Sequence, residues 1–313
     1  LNQHQAATSC TAVGFYAMQA VTAGIHTAVG SRALHNAGGT HNIGVGYYAG
    51  ANATGSYNTA IGHLALDAAS NTANHNVALG YEALTTATSG GYNVALGGLA
   101  LKLNTTGSSS VAVGYGALKS NVGGDENVAV GHLAMDANTG GTRSVAIGHG
   151  ALGANTTASY NTAVGFNALP QCTTGASNVA VGTGAANSLT QGTGNTALGV
   201  SAMLSLTTGG NSVAIGKEAL YNTVDSNYNI AIGYRTAYSG DQNSNNVALG
   251  AFALLSNTAG NLVAVGYSAL QNNTSGTKNT AVGYQALEEN VSGQKNTALG
   301  LSASYHNVTG DGN

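Results

Sequence analysis

Apolar and polar positions recur along this chain in one short phrase, repeated eighteen times. In Asn279-Thr280-Ala281-Val282-Gly283 the order is amide, β-branched, small, branched, glycine. Numbering that glycine as position 0, its cognates run from Gly14 to Gly300 at intervals of 16 to 18 residues, mostly 17. Position -3 is Thr, Val or Ile in all eighteen copies, and position -1 is always Val, Ile or Leu. Position -2 is Ala in every copy except Gly44. β-branched residues at alternating positions predict a short strand, and the glycine that ends it predicts a bend or a close backbone approach. A fixed period of this length is the signature of stacked repeats.

After the glycine comes a second phrase, x-x-Ala-(Leu/Met). Ala holds +3 in seventeen copies and Leu or Met holds +4 in fourteen, as in Ala83-Leu84 and Ala134-Met135. Too few residues precede the next turn for a helix, which needs about 12, so this phrase predicts a second short strand. A polar connection follows, such as Asn104-Thr105-Thr106-Gly107, with the Gly, Asn and Ser of turn chemistry. No linker or composition shift interrupts the array. The expectation is an all-β chain: a parallel β-solenoid of about 17 residues per rung and eighteen rungs, forming a single domain over residues 1–313.

Strand alternation then assigns the faces. Ala at -2 suits a flattened coil with little internal room, so the bulkier side chains at -3 and -1 point outward. A continuous apolar stripe of that kind exceeds the patches usual on a monomer. A parallel homotrimer with its stripes on the axis is the simplest closed solution. Asn at -4 recurs in twelve copies, and Asn58, Asn76, Asn93, Asn127, Asn161, Asn178, Asn229, Asn279 and Asn296 are expected to stack as a structural amide ladder.

The phrases NTAVGYQAL (Asn279–Leu287) and SVAIG (Ser144–Gly148, Ser212–Gly216) resemble the YadA-like head repeats of trimeric autotransporter adhesins. The 17-residue form is also similar to repeats of phage tail fibres and of surface proteins carrying tail-fibre domains. The resemblance covers essentially the whole chain, although the adhesin head repeat is shorter. It implies a left-handed β-roll that trimerises, at a cell surface or on a virion.

Composition narrows the chemistry. The chain has eight Lys/Arg, eleven Asp/Glu and a net charge of -3, which suggests neither nucleic acid nor an anionic membrane as partner. No apolar run approaches the ~20 residues of a membrane span, and Leu1 to His4 do not read as a signal peptide. Cys10 and Cys172 stand nine repeats apart, too far to pair within one regular coil. No cofactor is suggested. Tyr or Phe at +1 in eight repeats could form a sugar-binding platform, but a packing ladder is the simpler reading. His132 and His149 share that column on consecutive repeats and form a weak candidate metal pair. Asp125-Glu126 and Glu288-Glu289 read as turn charges rather than the two facing carboxyls of a glycosidase. Sequons at Asn52, Asn104, Asn155, Asn272, Asn273, Asn290 and Asn307 are expected on the outer turn and would carry sugar only in a secreted chain.

These features favour an extracellular structural or adhesive fibre whose main partner is itself, with a cell-surface glycan or protein receptor as a further one. A phage tail-fibre shaft is the alternative. A tailspike depolymerase would need an insertion to host its site, and an ice-binding solenoid an exposed Thr array; Thr holds -3 in only a minority of copies. The period places Leu1 near +4 and Asn313 at +13, so the array is expected to be a window of a longer one, or to stack head to tail.

Overall fold

A computed structural model describes residues 9–21, 24–69, 71–240 and 244–313. Leu1 to His4, read above for phase and for a signal peptide, lie outside them. Two compact units are distinguished, Leu1–Ser159 and Tyr160–Asn313. Among the described residues the first carries nine strands, β1 (Thr11–Val13) through β9 (Val145–Ile147), and the second another nine, β10 (Thr162–Val164) through β18 (Thr297–Leu299). Within each unit, successive strands pair in parallel with every repeat in register, for example Thr162↔Val179, Ala163↔Ala180 and Val164↔Val181. The fold is a β-solenoid of about 17 residues per turn. No helix among the described residues is long and apolar enough to cross a membrane.

Each strand is the -3 to -1 triplet, extended to -4 in β2 (His26–Val29) and β3 (Asn42–Val45), and its faces are those expected. Ala at -2 is buried throughout most of the array, as at Ala78, Ala146 and Ala231, while -3 and -1 are half-buried or exposed. Gly44, the exception at -2, has a packing cause. A Cβ there would lie 2.8 Å from Leu34 Cγ, and one on Gly50, which replaces Leu at +4 of the same repeat, would lie 2.9 Å from Leu34 Cδ2. Leu34 thus fills the space that both missing side chains leave.

The second strand does not form. Residues +1 to +4 make a turn whose +2 and +4 positions are left-handed: Glu82 has φ 51° and Leu84 φ 54°, and this recurs along both units. The reason is burial. Ala83 and Leu84 are both fully buried, and an extended strand would send adjacent side chains to opposite faces. Alternating left-handed residues place Ala +3 and Leu +4 inside together. The turns still stack by hydrogen bonds: Leu84 N–H donates to Ala100 O at 3.0 Å and Glu82 N–H to His63 O at 2.9 Å.

Glycine at position 0 meets both demands read from the sequence. Gly182 has φ +132°, and a Cβ on it would lie 2.5 Å from Gly199 O. Two residues on, Gly184 has φ +62° with no atom closer than 3.8 Å to such a Cβ, and most repeats carry a larger residue there. Gly182→Ala is therefore expected to cost more than about 3 kcal/mol, and Gly184→Ala about 1 kcal/mol. Denaturant midpoints of the two variants check the difference.

Candidate functional site

Each unit holds two buried columns of amides, one along most of its repeats and one along three or four of them, and only the first was expected. In the -4 column, the nine asparagines named above are at most 1% exposed, joined by Asn42, Asn195 and Asn246. The column is an amide-to-backbone ladder. Along most of it the backbone N–H at -4 donates to the side-chain oxygen one repeat earlier, as from Asn76 to Asn58 Oδ1 (2.9 Å), Asn93 to Asn76 Oδ1 (2.9 Å) and Asn296 to Asn279 Oδ1 (2.9 Å), while Asn42 N–H donates to His26 Nδ1. Ser continues the same chain, with Ser110 N–H donating to Asn93 Oδ1 and Asn127 N–H to Ser110 Oγ.

The second column stands at +7. Asn121 Nδ2 donates to Asn104 Oδ1 at 2.8 Å, Asn138 Nδ2 to Asn121 Oδ1 at 2.7 Å, and Asn155 Nδ2 to Asn138 Oδ1 at 2.8 Å. Asn273 and Asn290 extend a matching ladder from Asn257 in the second unit. Here the side chains bond to one another directly. The columns meet at the carbonyl of Gly +10: Asn93 Nδ2 and Asn104 Nδ2 both donate to Gly107 O at 2.8 Å. The same fork recurs at Gly141 and Gly293.

This corrects the placement of the sequons. Asn104, Asn155, Asn273 and Asn290 are fully buried rather than on the outer turn, and their Nδ2 atoms are committed inside the coil. Asn52, Asn272 and Asn307 are half-buried at the surface. Sequence reasoning missed the +7 column because Asn followed by Thr in a Gly-containing stretch looks like an exposed turn. The spacing Asn-x-x-Gly, shared with the fork, is the signal that marks it.

Cys172 takes the +7 position in its repeat. It is fully buried, its Sγ donates to Gly175 O at 3.1 Å, and burial pushes its thiol up to about 11. Both it and Cys10 are free thiols.

On the outside, the -3 and -1 columns form the apolar stripe. Val29 is 39% exposed, Leu79 44%, and Ile147 and Ile230 40%. Two columns of rings border it. At +1, Tyr47, His63 and Tyr81 stack with centroids 5.2 and 5.5 Å apart. At -5, His41, Tyr57, His75 and Tyr92 stack at 4.9, 4.9 and 4.8 Å, within 16° of parallel. These rings spend their faces on one another and turn edges outward, which favours the packing ladder over a sugar platform. His132 and His149 stack the same way, at 5.1 Å and 13°. Parallel rings aim their nitrogens side by side, whereas a shared metal needs them to converge at ~2.0–2.1 Å. Among the described residues, no group of three or more His, Cys, Asp or Glu is placed to hold a metal.

The acidic pairs are engaged in the turns. Asp125 Oδ1 accepts from Ser108 N–H at 2.7 Å, Glu126 pairs with Arg143 at 2.8 Å, and Glu289 with His306 at 2.6 Å. Glu288 is half-buried with its carboxyl raised by burial. No known protein-family model matches this chain, and neither a curated protein nor a solved structure matches it.

Two tests follow from the interior. Asn138→Leu strands Asn121 Oδ1 and Gly141 N–H and leaves Asn155 Nδ2 with Ala158 O alone, and is expected to cost about 2–4 kcal/mol in urea melts. Asp67, accepting from Asn52 Nδ2, has its carboxyl raised from 3.8 to about 6 by burial. An acid raised on folding stabilises the protonated protein, and that stability is lost as pH rises from about 4 to about 6. Asp67→Asn should therefore raise the melting temperature at pH 7.5 and leave it unchanged near pH 3.5. Solvent screening at this partly exposed site keeps the gain below about 2 kcal/mol.

Proposed function

We propose that this chain is a structural segment of an extracellular adhesive fibre, built by association of identical copies along the apolar stripe. The exposure of the -3 and -1 columns carries the reading. At roughly 50 Å² per side chain, the stripe of one unit offers on the order of 900 Å², comparable to one partner's share of a standard interface, ~800 Å². Its side chains are Val, Ile, Leu and Thr without an ionised group, so it has no charge with which to select a charged partner. A second copy, carrying the same stripe at the same repeat, matches it position for position.

Three copies in parallel register close the stripes around one axis, as the resemblance to trimeric adhesins also implies. Cell-surface fibre and tail-fibre shaft share this architecture and differ in what flanks it. A receptor, glycan or protein, would be met by the outer turns, which the association leaves open.

Sedimentation equilibrium should give three times the 30.7 kDa chain mass. Val111→Lys with Val128→Lys, adjacent in the -3 column, should reduce it to the chain mass, because each lysine would be desolvated in the stripe. A wild-type chain that stays monomeric at tens of micromolar would overturn the reading.

A further inference from the structure

The chain has nine histidines, and five of them stand in the two ring columns that border the stripe: His41 and His75 at -5, and His63, His132 and His149 at +1. All five are exposed and all belong to the first unit. We propose that these histidines make the association along the stripe reversible by acid: the copies bind one another at neutral pH and separate as the imidazoles protonate. This rests on the self-association proposed above.

The argument is one of local charge. Imidazole is the side chain that gains a charge in mild acid, and the groups that face His41, His63, His75 and His132 include few charges. His41 stacks on Tyr57 and bonds Thr40 Oγ1; His75 lies between Tyr57 and Tyr92. His63 lies between Tyr47 and Tyr81, and the nearby Glu82 is already paired with Lys102 at 2.6 Å. His132 faces Tyr115 and His149, with Asp136 as the carboxylate acting on it. In the -5 column, Glu126 is paired with Arg143. The stripe itself contributes only Thr, Val, Ile and Leu.

The fixed charges in the same two columns are few: Glu126 and Arg143, paired with each other, in the first unit, and Lys217, paired with Glu218, with Lys278 and Lys295 in the second. In acid each copy gains up to five cations along its rims, and parallel register sets each beside its own equivalents. Like charges brought together at the edge of an apolar interface oppose association, and salt weakens that opposition.

Sedimentation velocity at pH 7.5 and pH 5.0, in 0.15 M salt, tests this. The expected result is at least tenfold weaker association at pH 5.0, partly restored at 1 M salt. Tyr already fills both columns, so H41Y/H63Y/H75Y/H132Y/H149Y should fold, associate at pH 7.5 and stay associated at pH 5.0. Should that variant misfold by circular dichroism, H132Q/H149Q alone should lower the pH of dissociation. Unchanged association of the wild-type chain at pH 5.0 overturns the inference, as does a folded variant, of either kind, that dissociates in acid like the wild type. A chain monomeric at both pH values instead overturns the self-association beneath it.

Discussion

The rungs that carry Asn at both -4 and +7 depend on one shared carbonyl, at +10. The oxygen of Gly +10 receives the amides of Asn -4 and Asn +7, arriving from opposite sides of the coil, as Gly107 O does from Asn93 and Asn104. A coil so thin has almost no apolar volume to hold its two walls together, because its strands contribute only alanine inward. Buried amides add hydrogen bonds across and along the stack, as at Asn93 and Asn121. A buried amide is costly unless paired, and Asn71 Nδ2, Asn155 Oδ1 and Asn290 Oδ1 are buried without a partner. The shared carbonyl also accounts for the glycine at +10. A Cβ on Gly107 would lie 2.4 Å from Asn104 Oδ1 and 2.6 Å from Gly124 O.

The remaining features follow from the same thinness. Leu at +4 is the largest regular core side chain, and it enters beside Ala +3 only because the backbone turns left-handed on either side. Where the second unit puts Leu189 and Leu206 at +7, the amide fork gives way to apolar filling, and these leucines are as buried as the asparagines they replace. Position +7 is thus buried whether it carries an amide, as at Asn104, or an apolar side chain, as at Ala87, Cys172 and Leu189.

Much of this was legible in the residues. The period, the parallel register, the inward Ala and the outward stripe all follow from side-chain size at alternating positions, and Asn58 or Asn93 announced a ladder by recurrence alone. Two things were hidden. Left-handed backbone leaves no mark when Leu84 and Glu82 occupy it as readily as Gly184 does, so Ala83-Leu84 looked like a strand. The +7 asparagines were hidden by composition, since Asn104-Thr105-Thr106 resembles a surface turn until its partner at Gly107 is known.

Both amide columns also have a direction. Asn93 N–H reaches back to Asn76, and Asn138 Nδ2 reaches back to Asn121. In every such step the later residue donates and the earlier one accepts. A rung already closed therefore leaves its two amide oxygens open toward the rung that follows it in the chain. During synthesis, the finished part of each column presents amide acceptors, not donors, to the part still emerging.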